Sequence, residues 1–302
     1  MRILEHLKKI FPLLFLTLIN VHLKGQYLAY TGDSVYLSLN GLLHGSIQWQ
    51  ESEDTVTWID IPGATYNLYP IMPDANTYYR AKVVSGSCNP LYSDISKVII
   101  KEFQCGDTFM DIRDGQKYPT VKIGNQCWFA KNLNAGEYIK NGSKTPSDNS
   151  IIEKYCYNND TNNCKTYGGL YDWNEMMQYT TDESTRGVCP AGWHIPSDSE
   201  WMTLETALGM DPAFVILENA WRGDDEGKQL KAGGSSGFNA LLSGNAIPGG
   251  FFNAINLYEY VYTSTQAGEF AWRRCVRTGD NTIGRWNTFP KNYALSVRCV
   301  KN

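Results

Sequence analysis

The stretch GVCPAGWHIPSDSEW, residues 187–201, decides how the C-terminal two thirds of the chain is read. Its Ser197 and Glu200 form the S-x-x-E pattern of a capping box, which marks the start of a helix. The apolar residues that follow at helical spacing are Trp201, Leu204 and Leu208, and Gly209 is a suitable stop. The pattern predicts a helix whose Trp201 faces a core. Cys189 lies on the preceding loop, where a disulfide could hold it. We therefore expect this stretch to be structural.

Residues 1–25 have the pattern of a secretory signal. Arg2, Lys8 and Lys9 precede the apolar run 10–19, which is too short for a bilayer span of about 20 residues. An N-terminal membrane anchor is the alternative interpretation. Export is favoured, with no transmembrane span left after removal of the signal.

The charge balance limits the class of partner. The whole chain carries a formal charge of −4, and residues 1–25 contain four basic and one acidic residue. The remaining 23 basic and 30 acidic residues give a charge near −7. Nucleic acids and anionic lipids require basic patches, so neither is expected as a partner.

The eight cysteines all follow the signal and contain no CxxC pair. Beyond residue 25 the chain has only His44 and His194, so a zinc site is not expected. Disulfides in an oxidising compartment are the expected use of these cysteines.

Residues 26–102 show short alternating strands separated by turns. Val35, Leu37 and Leu39 alternate in SVYLSL, and SIQWQ, TYYRAKVV and ISKVII indicate further strands. Several strands spaced about 8–12 residues apart predict a small β-sandwich.

The segment DANTYYR, which begins at Asp74, resembles the immunoglobulin motif that leads into the second core cysteine. In that alignment Tyr78 forms the tyrosine corner and Arg80 takes the place of the cysteine. WQESEDTVTWIDIPGAT and YYRAKVVSGSC are also similar to Ig-like modules of secreted Bacteroidetes proteins. In many of those modules a cysteine near the start could pair with the one at Cys88. Tyr30 stands there in this chain, so the resemblance predicts that Cys88 lacks that partner. Such modules usually act as spacers or adhesive units.

From Cys105 onward the composition changes, and the sequence contains glycine turns and many aromatic residues. The run CGDTFMDIRDGQKYPTVKIGNQCWFAKNLN resembles the opening of the Fibrobacter succinogenes major paralogous domain family. YCYNND, YGGLYDWNEMM, CPAGWHIPSDSEW, YTST and SVRCVK continue the resemblance in order. It covers residues 103–302, which we take as the second domain.

That family looks related to the C-type lectin-like fold and to formylglycine-generating-enzyme-like domains. The resemblance implies a loop-rich α+β domain whose first and last segments meet, stapled by disulfides. Its lectin-like side implies a bond between Cys189 and Cys299. The further hypothesised pairs are Cys105 with Cys127 and Cys156 with Cys164, which leaves Cys88 and Cys275 over.

The resemblance to lectins does not extend to their calcium-binding triplets. A Glu-Pro-Asn or Gln-Pro-Asp triplet is missing from NAIPGG, and RWNTF has Thr288 in place of the aspartate of Trp-Asn-Asp. RGDDEG, residues 222–227, could coordinate calcium, but an exposed acidic turn is the simpler interpretation. Its Arg-Gly-Asp triplet also resembles integrin-binding loops, and three residues are a weak signal. No cofactor is therefore expected, with calcium as the open alternative.

A catalytic role would follow the formylglycine-generating oxidases, which use closely placed cysteines late in the domain. Cys275 is late but solitary, and Cys299 is better explained structurally. His194 lies near Asp198 in sequence, but no nucleophile with an ordered base is evident, and no GxSxG motif is present. Catalysis is not expected.

Aromatic residues make up 13% of the chain, and those of the late loops are candidates for a ligand surface. Their faces can stack on sugar rings or anchor a protein interface, and nearby arginines can donate to carboxylates or hydroxyls. The candidate ligand-binding residues are Trp221, Tyr258, Tyr260, Tyr262, Trp272, Arg273, Arg274, Arg277, Arg285, Trp286 and Tyr293.

These observations predict a secreted or cell-surface protein of non-catalytic recognition or adhesion, which binds a glycan or a surface protein. A structural envelope component with buried aromatic residues is the first alternative. An oxidase-like enzyme that depends on Cys275 is the second.

Overall fold

The computed structural model describes residues 25–30, 35–39 and 45–302. The prediction of a secretory signal therefore falls almost wholly outside the described residues. The chain divides into two compact units, of which the first ends at Gln104 and the second begins at Cys105. Both units are β-rich, and strands are the commonest regular element in their described parts.

The first unit contains eight strands in its described part. They are β1 Gly25–Tyr30, β2 Val35–Ser38, β3 Ser46–Ser52, β4 Ile59–Asp60, β5 Leu68–Ile71, β6 Thr77–Val84, β7 Leu91–Tyr92 and β8 Ser96–Lys101. Six of them form a sheet in the order β1-β8-β6-β3-β4, with β7 added to β6, and β2 pairs with β5. The β1–β8 pair is parallel, and the other pairs are antiparallel.

The core of the first unit corrects one detail of the expected immunoglobulin motif. Tyr79 and Ala81 point into the core beside Trp49, and they are 2% and 0% exposed. Tyr78 and Arg80, which the motif would place inside, lie on the opposite face of β6 and are half-buried. Side chains alternate across a strand, so a shift of one residue reverses every assignment.

Arg80 is held on the outer face of β6 by two rings. Its guanidinium lies 4.1 Å from the ring centroids of both Trp58 and Tyr92, and its Nε donates to Gln50 Oε1 at 2.8 Å. A guanidinium stacked in this way cannot replace a core cysteine.

The second unit contains thirteen strands and five α-helices. The strands are β9 Thr108–Asp111, β10 Gln116–Ile123, β11 Gln126–Phe129, β12 Glu137–Tyr138, β13 Glu153–Lys154, β14 Trp193–His194, β15 Ala220–Arg222, β16 Asn245–Ile247, β17 Phe251–Asn253, β18 Tyr258–Ala267, β19 Phe270–Arg277, β20 Ile283–Pro290 and β21 Val300–Lys301. The helices are α1 Thr161–Tyr167, α2 Trp173–Met176, α3 Asp198–Ala207, α4 Pro212–Val215 and α5 Glu226–Leu230, and a 3-10 turn covers Tyr157–Asn159.

Two sheets organise the second unit. One has the order β14-β21-β11-β10-β9 and the other β15-β20-β19-β18. In the first sheet the last strand, β21, lies between β11 and β14, so the opening and closing segments of the unit meet there. The β10–β11 hairpin turns at Gly124, whose φ of 59° is in the left-handed region that favours glycine.

Three disulfides staple the second unit, and they join the pairs proposed from the sequence. Cys105–Cys127, Cys156–Cys164 and Cys189–Cys299 have Cα–Cα distances of 5.7, 5.0 and 6.0 Å. Cys275 is free and buried, and Cys88 of the first unit is free and exposed.

The prediction for residues 187–201 is confirmed. Helix α3 starts with the complete capping box, in which Ser197 Oγ accepts from the Glu200 amide and Glu200 returns a bond to the Ser197 amide. Trp201 is 1% exposed and packs in the main core, 5.0 Å from the Trp128 ring. Cys189 on the lead-in loop forms a disulfide, so this stretch is structural.

No helix of the described ranges is both long enough and apolar enough to cross a membrane.

Candidate functional site

The β15-β20-β19-β18 sheet has two chemically different faces because side chains alternate along each strand. Arg274 and Arg285 point toward helix α3, while Arg273 and Trp286 point to the other side. The first face is closed by a buried network of charges. The second face is half-exposed and aromatic.

The buried network joins two carboxylates to three arginines. Asp198 lies 2.5 Å from Arg274 and 2.6 Å from Arg285. Glu205 lies 2.6 Å from Arg274 and 2.8 Å from Arg222. Burial alone would raise the pKa of Asp198, but the arginines outweigh it and hold that pKa below its ordinary value. The network fixes α3 to the sheet, and its charged side chains are buried.

The aromatic face, as we call the second side, comprises Trp221, Tyr258, Tyr260, Trp286, Phe289 and Tyr293, with Arg273 and Arg277 between them; each of these eight residues is half-buried. Their rings form a continuous series across the four strands. The rings of Tyr258 and Tyr260 are parallel, with their centroids 5.2 Å apart. Tyr260 also stacks on Phe289, with a centroid distance of 5.9 Å. Trp221 meets Trp286 edge-on at 5.0 Å.

The two arginines of the aromatic face have different environments. The Arg277 guanidinium lies 4.2 Å from the Trp221 ring and donates to Asp280 Oδ2 at 2.7 Å from Nε. The Arg273 guanidinium lies over three rings, those of Phe289, Tyr260 and Trp286, at 4.3, 5.0 and 5.1 Å. Each arginine is therefore held in place by cation–π contact.

Gly284 makes room for the central tryptophan of this face. A Cβ atom added at Gly284 would overlap the Trp286 ring, so the indole lies directly on the backbone of β20. Gly284 is paired with Cys275 on β19 and with Trp221 on β15. The missing side chain lets Trp286 lie flat between its neighbours.

The structure brings together seven of the eleven residues proposed from the sequence. The four that it does not place on the aromatic face are Tyr262, Trp272, Arg274 and Arg285. Tyr262 is fully buried, and its hydroxyl donates to the carbonyl of Pro290 at 2.5 Å. Trp272 lies on the opposite face of the sheet, where the Arg285 guanidinium stacks 4.0 Å from its ring.

Phe289 is the residue of the face that sequence reasoning missed. Strict alternation from Trp286 would place Thr288 beside it and turn Phe289 away. The pairing shifts between Arg273↔Trp286 and Ala271↔Phe289, which gives β20 one extra residue. This bulge turns Phe289 onto the aromatic face.

Cys275 lies on β19 between the two arginines of the aromatic face. It is 3% exposed, and burial raises the pKa of its thiol to about 11, although nearby Arg273 opposes the shift. The thiol is protonated at neutral pH. It therefore adds no negative charge beside Arg273.

The other motifs singled out in the sequence are held in local contacts. Arg222 of RGDDEG is 2% exposed and paired with Glu205, so the Arg-Gly-Asp triplet is not displayed as a free loop. His194 bridges Glu200 and Asn302, with 2.7 Å from each ring nitrogen to the partner oxygen. Within residues 25–30, 35–39 and 45–302 no cluster of three or more His, Cys, Asp or Glu side chains is placed to hold a metal ion.

Comparisons with known proteins identify each unit separately. Residues 21–102 match a domain of unknown function, DUF8696. No curated protein and no solved structure gives a match. Residues 121–301 match the Fibrobacter succinogenes major domain, which is more than half of the chain. The chain therefore belongs to the Fibrobacter succinogenes major domain family.

Proposed function

We propose that this is an exported, non-catalytic recognition protein that binds a glycan through the aromatic face of its second unit. In this proposal the first unit is an Ig-like spacer or adhesive module, the second unit is C-type lectin-like, and the protein acts outside the cell or at its surface. Three disulfides agree with an oxidising compartment, where such bonds persist.

One observation carries the proposal: a series of half-buried aromatic residues crosses the four strands on one side of the sheet, and part of each residue is exposed. Aromatic side chains bury large areas and stack well on the flat apolar faces of sugar rings. Two arginines fixed between the rings can donate hydrogen bonds to hydroxyl or carboxylate groups. A surface protein that inserts apolar side chains between the rings is the other partner that fits these contacts.

The first test is binding of residues 26–302, purified with disulfides formed, to a panel of glycans and polysaccharides with and without a calcium chelator. Trp286→Ala should abolish binding, because it removes the ring at the centre of the face. Trp272→Ala is the matched control, since it removes the same side chain from the opposite side of the same sheet. Equal loss in both variants, or binding that disappears with the chelator, would contradict the proposal.

A structural envelope component is the second candidate, and the contacts among the rings favour it. Trp221 already contacts Trp286 edge-on, and Tyr260 stacks on Phe289, as residues of a small exposed core would. In that case Trp286→Ala would lower the free energy of unfolding, and no member of the panel would bind the wild-type protein. Binding of a glycan at micromolar concentration would exclude this candidate.

An oxidase-like function based on Cys275 is less well supported, because the thiol is buried with a raised pKa and Cys299 is committed to a disulfide. A reactive cysteine requires the thiolate and access to solvent. A thiol-reactive dye should label the exposed Cys88 rapidly in the native protein and leave Cys275 unlabelled. In the Cys88→Ser variant the remaining free cysteine is Cys275, and in the Cys275→Ser variant it is Cys88. If both variants were labelled equally fast, Cys275 would be accessible and this function would be supported again.

A further inference from the structure

We propose that the ligand of the aromatic face is an acidic polysaccharide, whose sugar carboxylate is bound by Arg273 while its rings stack on Trp286 and its neighbours. This inference rests on the proposed function and names the ligand class for that site.

The first argument is an unmet hydrogen-bonding requirement. Nε and Nη1 of Arg273 are buried and have no acceptor in the described part of the chain. A buried donor that lost its water and found no acceptor costs free energy, and an arginine carries charge as well. A carboxylate that moves one of the covering rings aside on binding would supply the acceptor with the geometry that arginine prefers.

The second argument is charge complementarity. The other arginines of this sheet have carboxylate partners: Arg277 has Asp280, and Arg274 and Arg285 share Asp198. Among the described residues, no carboxylate lies within 4.0 Å of Arg273, and the thiol of neighbouring Cys275 is neutral. Arg273 is therefore held by ring contacts and the neighbouring neutral thiol, but unlike the other arginines it has no carboxylate partner among the described residues.

The third argument concerns the kind of molecule that carries the carboxylate. The rings on both sides of Arg273 form an extended series rather than a single pocket, so the ligand must offer several flat faces in a row. A chain of sugar rings has this form, and uronic acid units add a carboxylate to it. Because the protein as a whole is acidic, its long-range interaction with an acidic polymer is repulsive, and the contact at Arg273 must overcome this repulsion and supply the selectivity.

The experiment compares each acidic polymer with its own methyl ester, so that only the charge changes. Polygalacturonate, alginate and hyaluronan, each in acid and esterified form, are titrated against residues 26–302 by calorimetry. We expect at least one acid form to bind roughly ten- to a hundredfold more tightly than its ester, since hydrogen bonds to charged groups have that strength. Arg273→Gln should reduce binding of the acid form to the level of the ester and leave the ester unchanged.

Two outcomes separate this inference from the proposed function. If acid and ester bind equally, or only neutral glycans bind, and Trp286→Ala abolishes that binding, the proposed function holds and the carboxylate inference is wrong. If nothing binds, both are wrong. The comparison of acid with ester on the wild-type protein decides the question even if Arg273→Gln fails to fold. Arg273→Lys, which keeps the charge but loses the planar fork, should retain only part of the preference.

Discussion

The three disulfides should contribute unequally to stability, and the separations of their cysteines along the chain set the order. Cys189–Cys299 closes a separation of 110 residues, Cys105–Cys127 one of 22, and Cys156–Cys164 one of 8. In the chain-entropy model these loops correspond to ~4.8, ~3.4 and ~2.5 kcal/mol of constraint on the unfolded chain. Replacing Cys189 and Cys299 by alanine should therefore cost about 2 kcal/mol more than replacing Cys156 and Cys164.

The pairs Cys189–Cys299 and Cys156–Cys164 are matched controls for each other. All four of these cysteines are nearly fully buried, so their replacement by alanine leaves similar cavities. Urea unfolding followed by tryptophan fluorescence measures the difference, since seven of the nine tryptophans lie in the second unit. The midpoint and slope must be fitted to the transition of that unit alone. If losing the short loop costs as much as losing the long one, the stabilisation comes from native-state packing, and the entropic reasoning is refuted.

Three further predictions concern the charge network, the His194 bridge and the central tryptophan. Glu205→Gln leaves two buried arginines with a neutral partner and should cost about 3–5 kcal/mol in thermal unfolding, whereas exposed Glu218→Gln should cost under about 1 kcal/mol; similar costs would contradict the network. Burial lowers the pKa of His194, but Glu200 and Asn302 outweigh it and raise that pKa above 6.5. Its stabilisation is therefore complete below pH 6.5 and should be lost as pH rises through the raised value, and His194→Gln should remove this dependence from urea midpoints measured between pH 5 and 9. Gly284→Ala should displace the Trp286 ring, cost ~1–3 kcal/mol and shift the tryptophan emission; an unchanged spectrum and midpoint would show that the ring does not need the glycine.

Much of the second unit could be predicted because its signals are local. The capping box at Ser197 and Glu200 requires only neighbouring residues. Helix α3 begins where the sequence predicts it. The disulfide pairs needed more, namely the resemblance to a family, because spacing alone leaves many pairings open.

The register of a strand was harder to predict. In DANTYYR two adjacent tyrosines compete for the inward position, and the immunoglobulin motif favoured Tyr78 where the structure buries Tyr79. The same difficulty affected β20, where a bulge turned Phe289 to the aromatic face. A bulge depends on the partner strand, which the local pattern does not contain.

By itself the sequence determined the family, the β-rich character, the helix after residue 197 and the set of late aromatic and arginine residues from which a site could be built. Only the tertiary structure decided which of them share a surface. Trp272 and Trp286 look equivalent in sequence, yet one packs under Arg285 and the other lies on Gly284 across the sheet. Likewise Arg273 and Arg274 are adjacent in sequence, but Arg273 contacts aromatic rings, whereas Arg274 pairs with two buried carboxylates. The physical reason is that a strand sends successive side chains to opposite faces, and the contacts made by the rest of the chain decide which face is buried.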